Sequence, residues 1–309
     1  MIEIIKNANF DFVGKFKFTS VVSIGLVVIS LFGLFTKMNY GVDFRGGAEV
    51  QVKFKEALPL QELRGVLKKG GFKNISVQTI GEPQDNEYLV KVPGAEENLN
   101  KVTEALSKTL QTGLAAKSPE VRKVDIVGPK AGASLRIAGF QAMGWALITI
   151  MIYIGLRFDF KYSPGAIVAL FHDVSIILGV FAFTGTEFTL QTVAALLAVI
   201  GYSVNDTVVI YDRVREHEEK EAGMGTLGTF INKAANETLS RTVLTSGTTL
   251  FVALSMYFYG GLAIRDFFLA ISLGVIIGTY SSIFVAAPVT LLFDTFKKNK
   301  GEVPEGVRA

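Results

Sequence analysis

Six apolar runs punctuate the chain, at 18–35, 137–156, 164–184, 188–211, 242–259 and 267–293. Each meets or approaches the roughly 20 residues that a helix needs to cross bilayer hydrocarbon, so six membrane-spanning helices are expected. The first run is long and is followed by LFTKMNY without a small-residue cleavage site, which predicts a retained anchor rather than a signal peptide. Residues 37–135 read differently. Alternation with period two marks strands at 49–54, 75–81, 87–92 and 121–127, and helical spacing marks 60–70 and 97–114. With Gly70-Gly71 and Pro93-Gly94 as breakers, the order β-α-β-β-α-β predicts a ferredoxin-like split sheet with helices on one face. The expected fold class is an α-helical integral membrane protein, with one extracytoplasmic α+β domain between helices 1 and 2 and a five-helix bundle over 136–293.

Composition agrees with lipid rather than water: 50% of the 309 residues are hydrophobic, 24 of them Phe. Short-loop Lys and Arg cluster before the first helix (Lys6, Lys15, Lys17), after the second (Arg157, Lys161), after the fourth (Arg213, Arg215, Lys220, Lys233) and after the sixth (Lys297, Lys298, Lys300). By the positive-inside rule both termini are expected in the cytoplasm, together with a loop at 212–240 and a tail at 294–309. Two stretches suit the headgroup plane. One is 1–17, where Ile2, Ile4, Ile5, Phe10, Phe12 and Phe16 mix with lysines; the other carries Leu227, Phe230, Ile231 and Ala234. The net charge of +3 has no continuous basic element with interleaved aromatics, so nucleic acid is not an expected partner. With no cysteine, no disulfide is expected.

Charge inside the spans is where chemistry is expected, because an ionised group at a helix centre costs roughly 2.5–3.5 kcal/mol on insertion scales and marks ion pathways. Asp206 follows Asn205 in the fourth run, and Tyr202 and Ser203, four and three residues earlier, put hydroxyls on its helix face. Arg241 stands at the start of the fifth run, ahead of Thr245, Thr248 and Thr249. It is either an ordinary cytoplasmic anchor or, if its helix begins earlier, a deeper charge opposite Asp206. Asp173 lies near the middle of the third run beside His172. Adjacent helical residues diverge by about 100°, so one of these two is expected to be functional and the other structural. In the sixth run Ala270, Gly274, Gly278, Ser282 and Ala286 form a small-residue stripe for close helix packing. The chain has no G-x-x-x-x-G-K-[ST] loop, no H-E-x-x-H and no G-x-S-x-G, and only two histidines. Neither an enzyme, a nucleotide motor nor a zinc site is expected, and no cofactor; the remaining energy source is an ion gradient, of protons or of sodium.

The segments NYGVDFRGGAEV, GLRFDFKYSPGAIVALFHDV, AVIGYSVNDTVVIYDRVRE and LSRTVLTSGTTL, in this order and on a six-span layout with one large loop, resemble the SecDF family of protein-export membrane subunits. That family is related to the resistance-nodulation-division transporters, and the resemblance covers nearly the whole chain. It implies a bacterial inner-membrane protein that pairs with SecD, assists the SecYEG translocon and uses the proton motive force to draw unfolded polypeptides outward. It also implies a proton path through the acid of N-D-T and the Arg of S-R-T, here Asp206 and Arg241, with Asp173 as a further intramembrane acid. Arg45 stands where a smaller polar residue is expected in the family. The rival reading is an ion-coupled exporter of small molecules or lipids on the same architecture; the single modest outer domain argues against it.

Overall fold

The computed structural model describes residues 8–72, 75–81, 83–93 and 99–299. The interfacial Ile2, Ile4, Ile5 and Lys6, the breaker Gly94 and the tail from Lys300 lie outside them. Helix α1 (Phe16–Lys37) leads through a short strand β1 (Asn39–Tyr40) and one helical turn α2 (Val42–Arg45) into a sheet domain. Its elements run β2 (Gly47–Lys53), α3 (Leu60–Lys69), β3 (Ser76–Ile80), β4 (Glu87–Pro93), α4 (Leu99–Gly113) and β5 (Glu120–Val127). The strands lie in the order β3-β4-β2-β5, antiparallel throughout. Period two places Val50, Val52, Val77, Val90 and Val92 on one face, where they meet Leu63 and Leu67 of α3 and Leu106 and Leu110 of α4. Each helix pair is spaced by four, which is what puts both leucines on the face turned to the sheet.

Two glycines explain how this domain joins the helices. Gly46 (φ 80°) and Gly47 (φ 146°) adopt backbone that L side chains rarely reach. A Cβ on Gly46 would lie 2.8 Å from Pro129 Cα, and one on Gly132 2.9 Å from Gly46 N. The turn after α2 therefore presses backbone to backbone on the start of α5 (Pro129–Arg157), where Pro129 occupies the first helical turn without losing a needed donor.

Helix α6 (Ser163–Thr184) follows, then β6 (Glu187–Phe188), which pairs in parallel with β1. Helices α7 (Leu190–Lys220), α8 (Leu227–Tyr259) and α9 (Leu262–Ser281) complete the bundle with a π-helical turn (Ser282–Ala286) and α10 (Ala287–Asn299). Among the described residues, six helical stretches are long and apolar enough to cross a membrane. Those built on α6, α7 and α9 are half or more buried, whereas those on α1, α5 and α8 bury less than a quarter of their apolar core. The small-residue stripe of α9 is buried throughout.

Helix ends differ from the hydropathy boundaries. The segment 212–240 is not a loop: α7 runs on to Lys220 and α8 already starts at Leu227. Ion pairs Arg215–Glu219 (2.8 Å) and Lys220–Glu216 (2.6 Å) support the polar end of α7. Thr226 caps α8 by accepting from the Thr229 N–H. Leu227, Phe230, Ile231 and Ala234 thus form the buried face of α8's first turns rather than an interfacial segment.

Candidate functional site

The early start of α8 carries Arg241 into the middle of that helix, but not onto Asp206. Arg241 is exposed, makes no ion pair among the described residues, and lines a cavity of about 420 Å³ with Asn205, Asp212, Arg213 and Thr238. Arg241 thus stands deeper than an anchor at the helix start, and it acts on Asp206 through space from this cavity rim rather than by a direct ion pair. Thr245 and Thr249 donate back into their own helix, to Arg241 O (3.0 Å) and Thr245 O (2.9 Å), and Thr248 is exposed with the same back-bonding.

Asp206 is 3% exposed on the inward face of α7. Its carboxylate accepts from Ser246 Oγ of α8 at 3.4 Å; Ser246 Oγ lies 2.7 Å from Thr279 Oγ1 of α9 and accepts from the Tyr202 hydroxyl at 3.2 Å. Thr279 spends its own hydrogen on Val275 O, 2.8 Å away. Ser246 thus has one hydrogen and two claimants, the Asp206 carboxylate and Thr279 Oγ1. An ionised Asp206 draws it; a protonated Asp206 can donate to Ser246 and leave that hydrogen to Thr279. One proton on Asp206 thus decides whether the Ser246 hydrogen goes to α7 or to Thr279 of α9.

Asp173 forms a separate cluster and is 1% exposed. Its Oδ2 accepts from Ser203 of α7 (2.6 Å) and from Ser281 of α9 (2.8 Å). Its Oδ1 lies 3.0 Å from His172 Nδ1. Ser203 therefore serves Asp173, not Asp206, despite sharing the latter's helix face. His172 and Asp173 meet directly although adjacent on α6, so the two side chains share one cluster. The His172 ring stacks on Tyr280 at 6.0 Å, and its Nε2 is buried without a partner among the described residues. Gly278 makes this possible: a Cβ there would sit 3.0 Å from that of Ser203, so α9 reaches α7 only because the side chain is missing.

Ser246, Thr279 and Ser281 were not singled out from the sequence. The available signal was the hydroxyl run in GTYSS at 278–282, polar inside an otherwise apolar helix. Asn205 makes no side-chain hydrogen bond to either acid among the described residues; it lines the rim cavity.

Residues 106–295 match the family described as protein export membrane protein SecD/SecF, C-terminal, and residues 32–57 match the SecD/SecF GG motif, which contains the Gly46-Gly47 turn. The chain is 41% identical to the protein translocase subunit SecF of Thermodesulfovibrio yellowstonii, over 94% of this chain and 97% of that one. It is 42% identical to the subunit of the same name from Calditerrivibrio nitroreducens, over 96% and 98%. Among solved structures it is similar to SecDF, a translocon-associated membrane protein from Thermus, with a TM-score of 0.79 and 33% identity over 94% of this chain. The chain spans about two fifths of that SecDF polypeptide, 39% of its length. A GG turn set against the start of α5, six apolar spans and 41% identity along nearly the full length of a translocase subunit place one conclusion beyond the fold: the chain belongs to the SecD/SecF family of protein export membrane proteins, as a relative of its SecF subunits.

Proposed function

We propose that this chain works with a SecD subunit beside the SecYEG translocon in the bacterial inner membrane, and uses the proton motive force to promote late stages of polypeptide export. In this reading both termini are cytoplasmic and the β2–β5 domain, a ferredoxin-like unit, faces outward, where it meets the emerging unfolded chain. The observation that carries the proposal is the Asp206–Ser246–Thr279 relay. It is a buried carboxylate whose ionisation redistributes hydrogen bonds among three helices.

Charging Asp206 is costly away from water; its direct hydrogen-bond partner is the neutral Ser246 hydroxyl, and Arg241 acts on it only through space. The ionised state therefore favours an arrangement that brings further donors or water to the carboxylate, and the protonated state favours the closed packing. Lys91 of β4 connects this packing to the sheet domain through Glu187 of β6 at 2.9 Å, immediately before α7. A shift of α7 is thereby felt at the sheet. Asp173, with three polar neighbours already placed, is the second acid of the path, and sodium in place of protons is the alternative that the same oxygens leave open.

Asp206→Asn is expected to abolish the dependence of export on the proton gradient while the protein remains folded and bound to SecD. Export by vesicles carrying this variant, with SecD co-purification as the folding control, checks it. Gradient-dependent export at the normal rate removes Asp206 from the mechanism. Collapsing the proton and sodium gradients separately identifies the ion.

A further inference from the structure

At the end of α7 remote from the sheet, His217 is 5% exposed and lies flat on Phe230 of α8, with ring planes 13° apart. Both ring nitrogens face carboxylates. Nδ1 is 3.1 Å from Glu221 Oε1, and Nε2 is 2.9 Å from Glu237 Oε2 on α8. A carboxylate that is ionised only accepts, so both contacts are hydrogen bonds at once only when the ring carries two N–H groups.

The charges around it come from every neighbouring element. On α7, Arg213 pairs with Glu216 and with Glu237, and Lys220 pairs with Glu216. On α8, Lys233 pairs with Glu221. From the segment before α1, Asp11 lines the groove that Lys233 and Glu237 also line. Lys233 and His217 together hold the Glu221 carboxyl below the usual carboxylate range, consistent with an acid that stays charged beside the ring. Arg213, held by Glu237, is also part of the cavity wall with Asn205 and Arg241.

We propose that His217 is a proton-operated positioning residue: as an imidazolium it bridges Glu221 and Glu237 of α8, adding to the Arg213–Glu237 tie between α7 and α8 at the cavity lined by Asn205 and Arg241, and on giving up a proton it lets go of one of the two carboxylates. The inference rests on the reading that this chain uses the proton motive force and that this end of α7 is cytoplasmic. In the step, one N–H bond breaks, the proton passes to water, and the electron pair stays on nitrogen. The neutral ring keeps a single N–H, so one carboxylate then faces a lone pair. Glu237 retains Arg213 and Glu221 retains Lys233, which makes the ring the group that lets go. Cytoplasmic proton concentration thus sets how firmly the two helices are joined below the relay.

Because His172 and His217 are the only histidines, imidazole ¹⁵N spectra of the full chain in nanodiscs contain two rings, assigned with His217→Gln. Over a pH series the His217 ring is expected to pass from two protonated nitrogens to one. Hydrogen exchange at the end of α7 and the start of α8, corrected for its intrinsic pH dependence and referenced to α3, is expected to rise about tenfold with the same midpoint. His217→Gln is expected to exchange fast at every pH, and His217→Arg, which keeps a fixed charge, slowly at every pH. Should His217→Gln fail to fold, the wild-type spectrum and His217→Arg still decide. A ring that carries one proton throughout, or an exchange step unrelated to its titration, overturns the proposal. Asp206→Asn is expected to leave both readouts unchanged, so a failure of the coupling reading is distinguishable from a failure of this tie.

Discussion

Ser203 and Ser246 sit one helix apart and attend different acids, and this assignment is set by neighbouring helices rather than by their own. Helical spacing places Ser203 near Asp206; what decides is that α6 brings Asp173 within 2.6 Å of it. The same limit hid Ser246, whose importance comes from Thr279 on a helix 33 residues away. The acids themselves were legible, because a carboxylate inside an apolar run is costly enough to stand out. Their partners were not, because Ser and Thr cost little in a helix and appear wherever they can bond back to it. Ser203→Ala and Ser281→Ala each remove one of Asp173's two hydroxyl donors, and each is expected to lower stability by about 1–3 kcal/mol. Thermal unfolding in detergent checks this, with Ser255→Ala, whose hydroxyl only back-bonds to Phe251 O, as the near-neutral comparison.

At the scale of elements, glycines and one lysine decide how helices and sheet meet. A Cβ on Gly165 of α6 would lie 2.4 Å from Ala286 O, 2.3 Å from Thr290 Oγ1 and 2.5 Å from the Tyr211 hydroxyl. Gly165→Ala is therefore expected to cost about 1–3 kcal/mol through overpacking, whereas Gly144→Ala on α5, with nothing within 4 Å, is expected to gain up to about 1 kcal/mol. Paired melting curves distinguish the two. The Lys91 latch carries a pH prediction. Burial alone would lower the Lys91 pKa, but Glu187 and Glu49 outweigh it and hold it above the model-compound value of 10.5. A raised lysine contributes its stability in full below that value and loses it as pH rises through the folded-state pKa. Docking of the sheet on the β6 turn should therefore persist through neutral pH and weaken only above about pH 10.5, read as hydrogen exchange of β4; Lys91→Met should remove the alkaline step. Strand and helix order here followed from periodicity alone, while helix ends did not: charged turns such as 212–220 read as loop by hydropathy and are helix by virtue of their ion pairs.

For the whole molecule, the uneven burial of its spans is the informative feature. Hydropathy scored the six runs alike, since an apolar face turned to lipid and one turned to a partner helix have the same composition; only packing separates α6, α7 and α9 from the open α1, α5 and α8. On α8 the open side includes Arg241 between exposed Val243, Leu244 and Phe251. An arginine within a membrane-spanning helix costs about 2.5–3.5 kcal/mol unless water or protein meets it, so under the reading that pairs this chain with SecD the Arg241 side of α8 is expected to meet the partner bundle. In vesicles, Arg241→Cys expressed alone should react with a small water-soluble maleimide through the rim cavity, and co-expression with SecD should slow that reaction at least about tenfold. A cysteine at Val28 on α1, exposed on another side of the bundle, serves as the reference and should respond equally with or without SecD. Equal labelling of Arg241→Cys in both preparations would place the partner elsewhere. It would also leave the cost of that arginine to be met by water entering from the cavity it lines.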